Sequence, residues 1–276
     1  MILVTGATGN AGGAVVRAAV GTGEGVRALV RDPGRSASPA GVEAVAGDLD
    51  RPESLAAALA GVRGVFLLSG FRDMPGVLAE IRRAAVEQVV LLSSSAAPGG
   101  DLSNAVARYH ILSEAAVRDS GIPWTFLQPN SFMTNTFRWL PQLRAGDVVR
   151  APFPDVRVAT IDPEDLGAVA AAALTTGGHE GRAYRLSGPE SLLPADRVAV
   201  LAKVLGRALR FEGQSDAEAR AEMTRTTPPE YVDALFSFFA DGTLDESKVL
   251  STVEEITGRP PRTFEQWVLR HIETFQ

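Results

Sequence analysis

The stretch Ile2-Leu3-Val4-Thr5-Gly6-Ala7-Thr8-Gly9-Asn10-Ala11-Gly12-Gly13 decides the fold. Ile2 to Thr5 is a short apolar run that reads as a strand. From Asn10 to Val20, small and apolar residues recur at helical spacing. Between strand and helix stand Gly6, Gly9 and Gly12, three residues apart. Glycine there permits a tight turn, close approach of the backbone to a pyrophosphate, and close helix–strand packing. The free amides and positive end of the helix then face an anion. Three glycines alone are a weak sign. A strand before them and a helix after them make it a dinucleotide-binding signature. A tight turn that binds nothing is the plain alternative.

Outward from this loop the chain keeps alternating. Strands are expected at Val26–Val30, Val42–Ala46, Val65–Leu68, Val89–Leu92 and Trp124–Leu127. Helices are expected at Pro52–Ala60, Val77–Val86 and Asn104–Ser120, the last stopped by Gly121. Such alternation means βαβ units around a parallel sheet, a doubly wound α/β architecture of Rossmann type. Wholly apolar strands such as Val89-Val90-Leu91-Leu92 suit a sheet covered on both faces. After Pro129 the rhythm changes. Ser131–Leu143 looks helical, Val156–Ile161 reads as a strand, Pro163–Leu174 as a helix with acids in its first turn, and Tyr184–Leu186 as a short strand. The expected division is a nucleotide-binding domain over residues 1–130 and a smaller substrate lobe over 131–276, partly folded back on the sheet.

The tip of the second strand sets cofactor choice. An acid there suits NAD, whereas an arginine suits the 2′-phosphate of NADP. Here Val30 is followed by Arg31, with Asp32 next and Arg35 close behind. The expected cofactor is NADP(H), with NAD(H) as the alternative. Asp48 and Leu49 follow the third strand. They suit either an adenine site, with Leu49 against the base, or a simple Asx turn.

Composition narrows the classes. Of 276 residues, 45% are hydrophobic and 22% charged, a globular mixture that excludes disorder as the main state. The formal net charge of −6 argues against nucleic acid as a partner. There is no cysteine, hence no disulfide, thiolate nucleophile or zinc–thiolate site, and no metal is expected. The start Met1-Ile2-Leu3-Val4 lacks the charged region of a signal peptide, and the apolar stretch Leu166–Leu174 is too short to span a bilayer. A cytoplasmic protein without a membrane partner is the expectation; oligomeric state is open.

With these residues in hand, the chain resembles the short-chain dehydrogenase/reductase superfamily. Within it, the chain is similar to the atypical NmrA-like branch, with its quinone reductase-like and isoflavone reductase-like members. The matching stretches begin with VTGATGNAGG (4–13), ALVRDP (28–33) and VVLLSSSA (89–96). They continue with SGIPWTFLQPNSFMTN (120–135), IDPEDLGAVAAAAL (161–174), YRLSGPESL (184–192) and TGRPPRTFEQWV (257–268). Position by position, the resemblance puts Gly6, Thr8, Gly9, Asn10, Ala11 and Gly12 at the pyrophosphate and Arg31 at the 2′-phosphate. Asp48 and Leu49 would flank adenine. Leu68, Ser69 and Gly70 would pass under the ribose, and Pro129 and Asn130 would lie near the nicotinamide. Ser93 and Ser95 fall in the stretch where these enzymes carry a catalytic serine, Ser95 being the better match.

One departure bears on mechanism. The superfamily's working pair is Tyr-x-x-x-Lys, but Tyr109 is followed four places on by Ser113. The substitute pair at the same spacing is His110 with Glu114, on one helix face. Without the lysine, a substrate that stabilises its own oxyanion is favoured, as quinones and conjugated ketones do. The aromatic and Met-bearing segment 131–140, with Phe236, Phe238 and Phe239, offers walls for a flat apolar pocket or ordinary core packing. The expected activity is NADPH-dependent hydride transfer to an aromatic or polycyclic quinone or ketone. The alternatives are a non-catalytic dinucleotide sensor and a sugar-nucleotide epimerase-like enzyme.

Overall fold

The computed structural model describes residues 1–35 and 39–276. Among these residues nine strands form two sheets: β1 (Ile2–Val4), β2 (Val26–Val30), β3 (Val42–Ala46), β4 (Gly64–Leu68), β5 (Gln88–Leu92), β6 (Trp124–Pro129), β7 (Val148–Ala151), β8 (Arg182–Leu186) and β9 (Arg210–Gly213). Seven strands make one sheet in the order β3-β2-β1-β4-β5-β6-β8. Every pairing in it is parallel, with Val4 opposite both Ala28 and Phe66. The chain winds outward from β1 to β3, then crosses back to β4 and winds the other way. The reversal between β1 and β4 opens a crevice at the carboxyl ends of the strands, where ligands of such sheets bind.

Both faces of this sheet are covered, which is why its central strands are apolar throughout. On one face lie the helices Met74–Arg83 and Ala105–Asp119 over a core of Leu67, Leu78, Ile81, Val117 and Phe126. On the other lie Asn10–Val20 and Pro163–Thr175 over Val15, Phe66, Leu166 and Val169. These two helices cross closely: a Cβ on Gly167 would sit 2.7 Å from the backbone of Ala14.

The chain beyond Pro129 contributes twice. Pro163–Thr175 and β8 belong to the sheet and its covering layer. The remainder builds a second core of Trp139, Leu143, Val149, Leu201, Phe264 and Trp267 beside the parallel pair β7–β9. Among the described residues no helix is long and apolar enough to cross a membrane.

Two expectations need correction, and two strands were not foreseen. Val156–Ile161 forms no strand: Val158 pairs only with Leu192, and Ile161 only with Phe132, as isolated bridges. Val158 to Ile161 are buried, but the segment is flanked by loops, so no ladder propagates. The helix expected over Ser131–Leu143 is instead a 3₁₀ segment, Met133–Trp139, running into a short α-helix, Leu140–Ala145. Pro141 stands at the start of that helix, where it costs no hydrogen bond; inside one continuous helix it would remove a bond. The strands β7 and β9 went unforeseen because each is only four residues long, and β9 is mostly charged and exposed.

Candidate active site

The glycine loop folds as its spacing demands. Gly6 has φ +61°, a left-handed conformation, and its carbonyl accepts from the amide of Gly9 at 2.9 Å. A Cβ on Gly12 would lie 2.2 Å from the Gly6 carbonyl oxygen, so Gly12 is the contact between helix and strand. Gly9 is different: its Cβ would meet only the Gly6 oxygen, at 3.3 Å, and the side facing away is open. Thr8, Gly9 and Asn10 are exposed, and Ala11 is half-buried. Gly9 caps the helix Asn10–Val20 without any side-chain hydrogen bond, and no acid occupies the first turn. An uncapped, uncharged, solvent-facing helix start fits the pyrophosphate of a dinucleotide.

Beyond the second strand Arg31 is exposed and makes no ion pair among the described residues. Asp32 turns back, its carboxylate accepting from the Gly34 amide at 3.0 Å. Arg31 thus makes no ion pair with its neighbour Asp32 and stays exposed at the end of β2. The side chain of Arg35 lies outside the described residues. Asp48 accepts from the Asp50 amide at 3.0 Å and lies 3.6 Å from Arg51, the Asx-turn arrangement. Leu49 is buried and belongs to the same core as Leu29, Leu55 and Leu59. Leu68 packs on Gly6, and Ser69 donates to the Leu92 carbonyl at 2.6 Å. Gly70, at φ +94°, carries the Tyr109 ring against it.

At the ends of β5 and β6 the serines are already engaged. Ser93 Oγ donates to Glu114 at 2.6 Å, and Ser95 Oγ donates to Glu246 at 2.6 Å. The buried Glu246 also accepts from the amide and hydroxyl of Ser131, at 3.0 and 2.6 Å. Asn130 is buried and donates to the backbone carbonyls of Ala159 and Glu246. Glu246 thus ties a segment from the end of the chain to the rim of the crevice beside Pro129. Sequence reading missed it, because one glutamate in a loop carries no local pattern.

The substitute pair does not form. Glu114 faces Ser93, Gln128 (2.8 Å) and Arg118 (3.0 Å), with no bond to His110. It braces the helix Ala105–Asp119 against β5 and β6. His110 lies against the Tyr109 ring at 4.1 Å, and its buried Nδ1 has no partner. Burial pushes its pKa down to about 4, so the ring is neutral at pH 7. Burial, with Tyr231 nearby, raises the Tyr109 hydroxyl above its ordinary value. Ser113, in the place of the missing lysine, donates to the Tyr109 carbonyl at 2.7 Å and accepts from the Gly70 amide at 3.0 Å.

Next to this rim opens a cavity of about 730 Å³. It runs from Val106 and Ser131 toward Trp139, Tyr231 and Phe239. Of the aromatic residues expected as walls, Trp139 and Phe239 line it. Phe137 packs on Trp267 and Phe275, while Phe236 and Phe238 belong to side cores. Phe153, unforeseen, lines the cavity with φ +55°, a strained value for a side-chain-bearing residue, and sits edge-on to Phe236.

A Rossmann sheet, an open glycine-loop helix start and an adjoining apolar cavity define a dinucleotide-binding protein with room for a second small molecule. The NmrA-like family matches residues 1–268, and the chain belongs to it. It is 43% identical to a (4-alkanoyl-5-oxo-2,5-dihydrofuran-3-yl)methyl phosphate reductase of Streptomyces griseus, over 100% of this chain and 99% of that one. It is 34% identical to an NAD(P)H azoreductase of Xenophilus azovorans, again over 100% and 99%. Among solved structures, an NADPH-dependent quinone oxidoreductase from Escherichia coli superposes with a TM-score of 0.81 at 25% identity, covering 99% of this chain and 100% of that one.

Proposed function

We propose that the protein is an NADPH-dependent reductase of conjugated carbonyl compounds, quinones or conjugated ketones, bound in the cavity beside the crevice. The cofactor, when bound, supplies a hydride. The amides at Gly9 to Ala11 hold its pyrophosphate, and Arg31 pairs with its 2′-phosphate. Trp139, Tyr231 and Phe239 shield the acceptor from water.

The observation that carries this reading is the set of hydrogen bonds around Ser113. Where the superfamily places a lysine to acidify tyrosine, a serine is spent on the Gly70 amide and the Tyr109 carbonyl. Tyr109 keeps a raised pKa, His110 is neutral, and Ser95 donates to a carboxylate. No strong proton donor is tuned for an isolated ketone. An acceptor that delocalises the arriving charge needs none, and water can protonate it afterwards. The relatives' names, an unsaturated acyl furanone, an azo compound and a quinone, describe acceptors of that kind. The azo and quinone names favour aromatic acceptors.

The test is NADPH consumption with a conjugated quinone and with an isolated ketone of similar size. Turnover of the first, with the second slower by about a hundredfold or more, is expected. NADPH binding without turnover of either would indicate a redox sensor instead.

A further inference from the structure

The cavity described above is not uniformly apolar. Its lining carries three guanidiniums, Arg138, Arg150 and Arg197, against one carboxylate, Glu222. Glu222 is occupied, accepting from Gln214 at 2.6 Å. Arg150 is held by Glu218 at 2.9 Å. Arg138 and Arg197 have no ion-pair partner among the described residues.

Arg197 is the more telling of the two. It enters from the helix Pro194–Leu205, and its guanidinium lies over the Trp139 ring at 5.3 Å. Its Nε is buried without a hydrogen-bond partner. An enclosed charged donor left unpaired is costly, and folded proteins keep such a group where something else completes it. Burial pushes this guanidinium down to about 10, so it remains charged at any physiological pH. Surface arginines such as Arg157 and Arg207 each face an aspartate, which Arg197 does not.

We propose that Arg197, together with Arg138 from the same cavity lining, forms an anion subsite that holds a phosphate monoester carried by the acceptor. Two unneutralised guanidiniums match a dianion, and the planar fork of arginine suits a phosphate's oxygens. Trp139 fixes the guanidinium plane from one side. Val158, Met223 and Leu235 offer surface for the apolar body of the same molecule. The acceptor is therefore amphipathic, anchored by its phosphate while its conjugated part points back toward Ser131 and the rim of the crevice. This inference rests on the cavity being the acceptor site of the proposed reductase.

The test uses the full chain saturated with NADPH, so that the cofactor's own phosphate sites are filled. Hexyl phosphate, hexanol and inorganic phosphate are titrated in turn by calorimetry. Hexyl phosphate should bind at least about tenfold more tightly than either of the others. Arg197→Met should weaken it about tenfold or more, and Arg197→Lys, which keeps the charge but loses the fork, should fall between. Equal binding of hexanol, or unchanged affinity in Arg197→Met, would overturn the subsite. Inorganic phosphate binding as tightly as the ester would overturn it too, by showing a site for the free ion. The wild-type comparison alone decides the matter if Arg197→Met does not fold. Hexyl phosphate binding without reduction of any quinone would leave the subsite standing and remove the reductase reading.

Discussion

The glycine loop and the cavity lie on one rim of the molecule but are built differently. In the loop, the groups aimed at a ligand are backbone amides, and the side chains matter by being absent. In the cavity they are side chains, brought together from residues as distant as Val106, Trp139, Arg197 and Tyr231. A backbone site is written in consecutive residues and resists change at single positions for steric reasons. A side-chain site depends on the whole lobe being folded, and its selectivity can be altered one residue at a time.

The two inner glycines separate folding from binding within the loop. Gly12→Val would force a Cβ to within 2.2 Å of the Gly6 carbonyl, against backbone that has nowhere to move. We expect loss of the cooperative folded state, a cost of about 3 kcal/mol or more. Gly9→Val places its side chain on the open side, near an atom 3.3 Å from the Cβ. The thermal midpoint should change by only a few degrees while NADPH binding is lost. Equal destabilisation by both, measured by thermal unfolding, would mean that Gly9 serves packing alone.

Arg31→Ala comes next in size. Loss of one charge-assisted contact to phosphate costs roughly 1.5–3 kcal/mol. NADPH should therefore weaken about tenfold or more in a titration, with NADH barely affected. Parallel losses for both cofactors would show that Arg31 does not read the 2′-phosphate.

A smaller effect belongs to His110 and is visible only in acid. Its folded pKa of about 4 lies below the ordinary 6.5, so protons bind the unfolded chain more readily. The resulting stability is present above pH 6.5 and is lost as pH falls toward 4. In His110→Phe that loss should be shallower by about 2 kcal/mol, allowing for the ring's partial contact with water. Denaturant midpoints across pH 4 to 7 measure it; identical slopes would mean that His110 is better solvated than its burial implies.

The same contrast explains what was legible beforehand. The alternation of strand and helix was legible from apolar runs such as Val65–Leu68 and Val89–Leu92 and from helices of ordinary length. Asn10–Val20 and Val26–Val30 were readable to the residue. The turn of Asp32 and the geometry of the glycine loop were readable because they are set by immediate neighbours. Glu246 was not, since its meaning lies in Ser95 and Ser131, more than a hundred residues away in sequence. Leu49 shows a related limit: the chain just past a strand can turn its side chain inward, as here, or outward, and adjacency alone does not choose. Val156–Ile161 is rich in β-branched residues like a strand but makes only isolated bridges.

The most direct measurement concerns Tyr109, because the proposed chemistry depends on that tyrosine not being an activated acid. It is kcat for a conjugated quinone with saturating NADPH, in wild type, Tyr109→Phe and Ser95→Ala. Turnover by wild type with less than about a tenfold loss in Tyr109→Phe, and a larger loss in Ser95→Ala through release of Glu246, is the predicted result. A drop above about a thousandfold in Tyr109→Phe alone would contradict it and require a tyrosine acid activated by some group other than lysine.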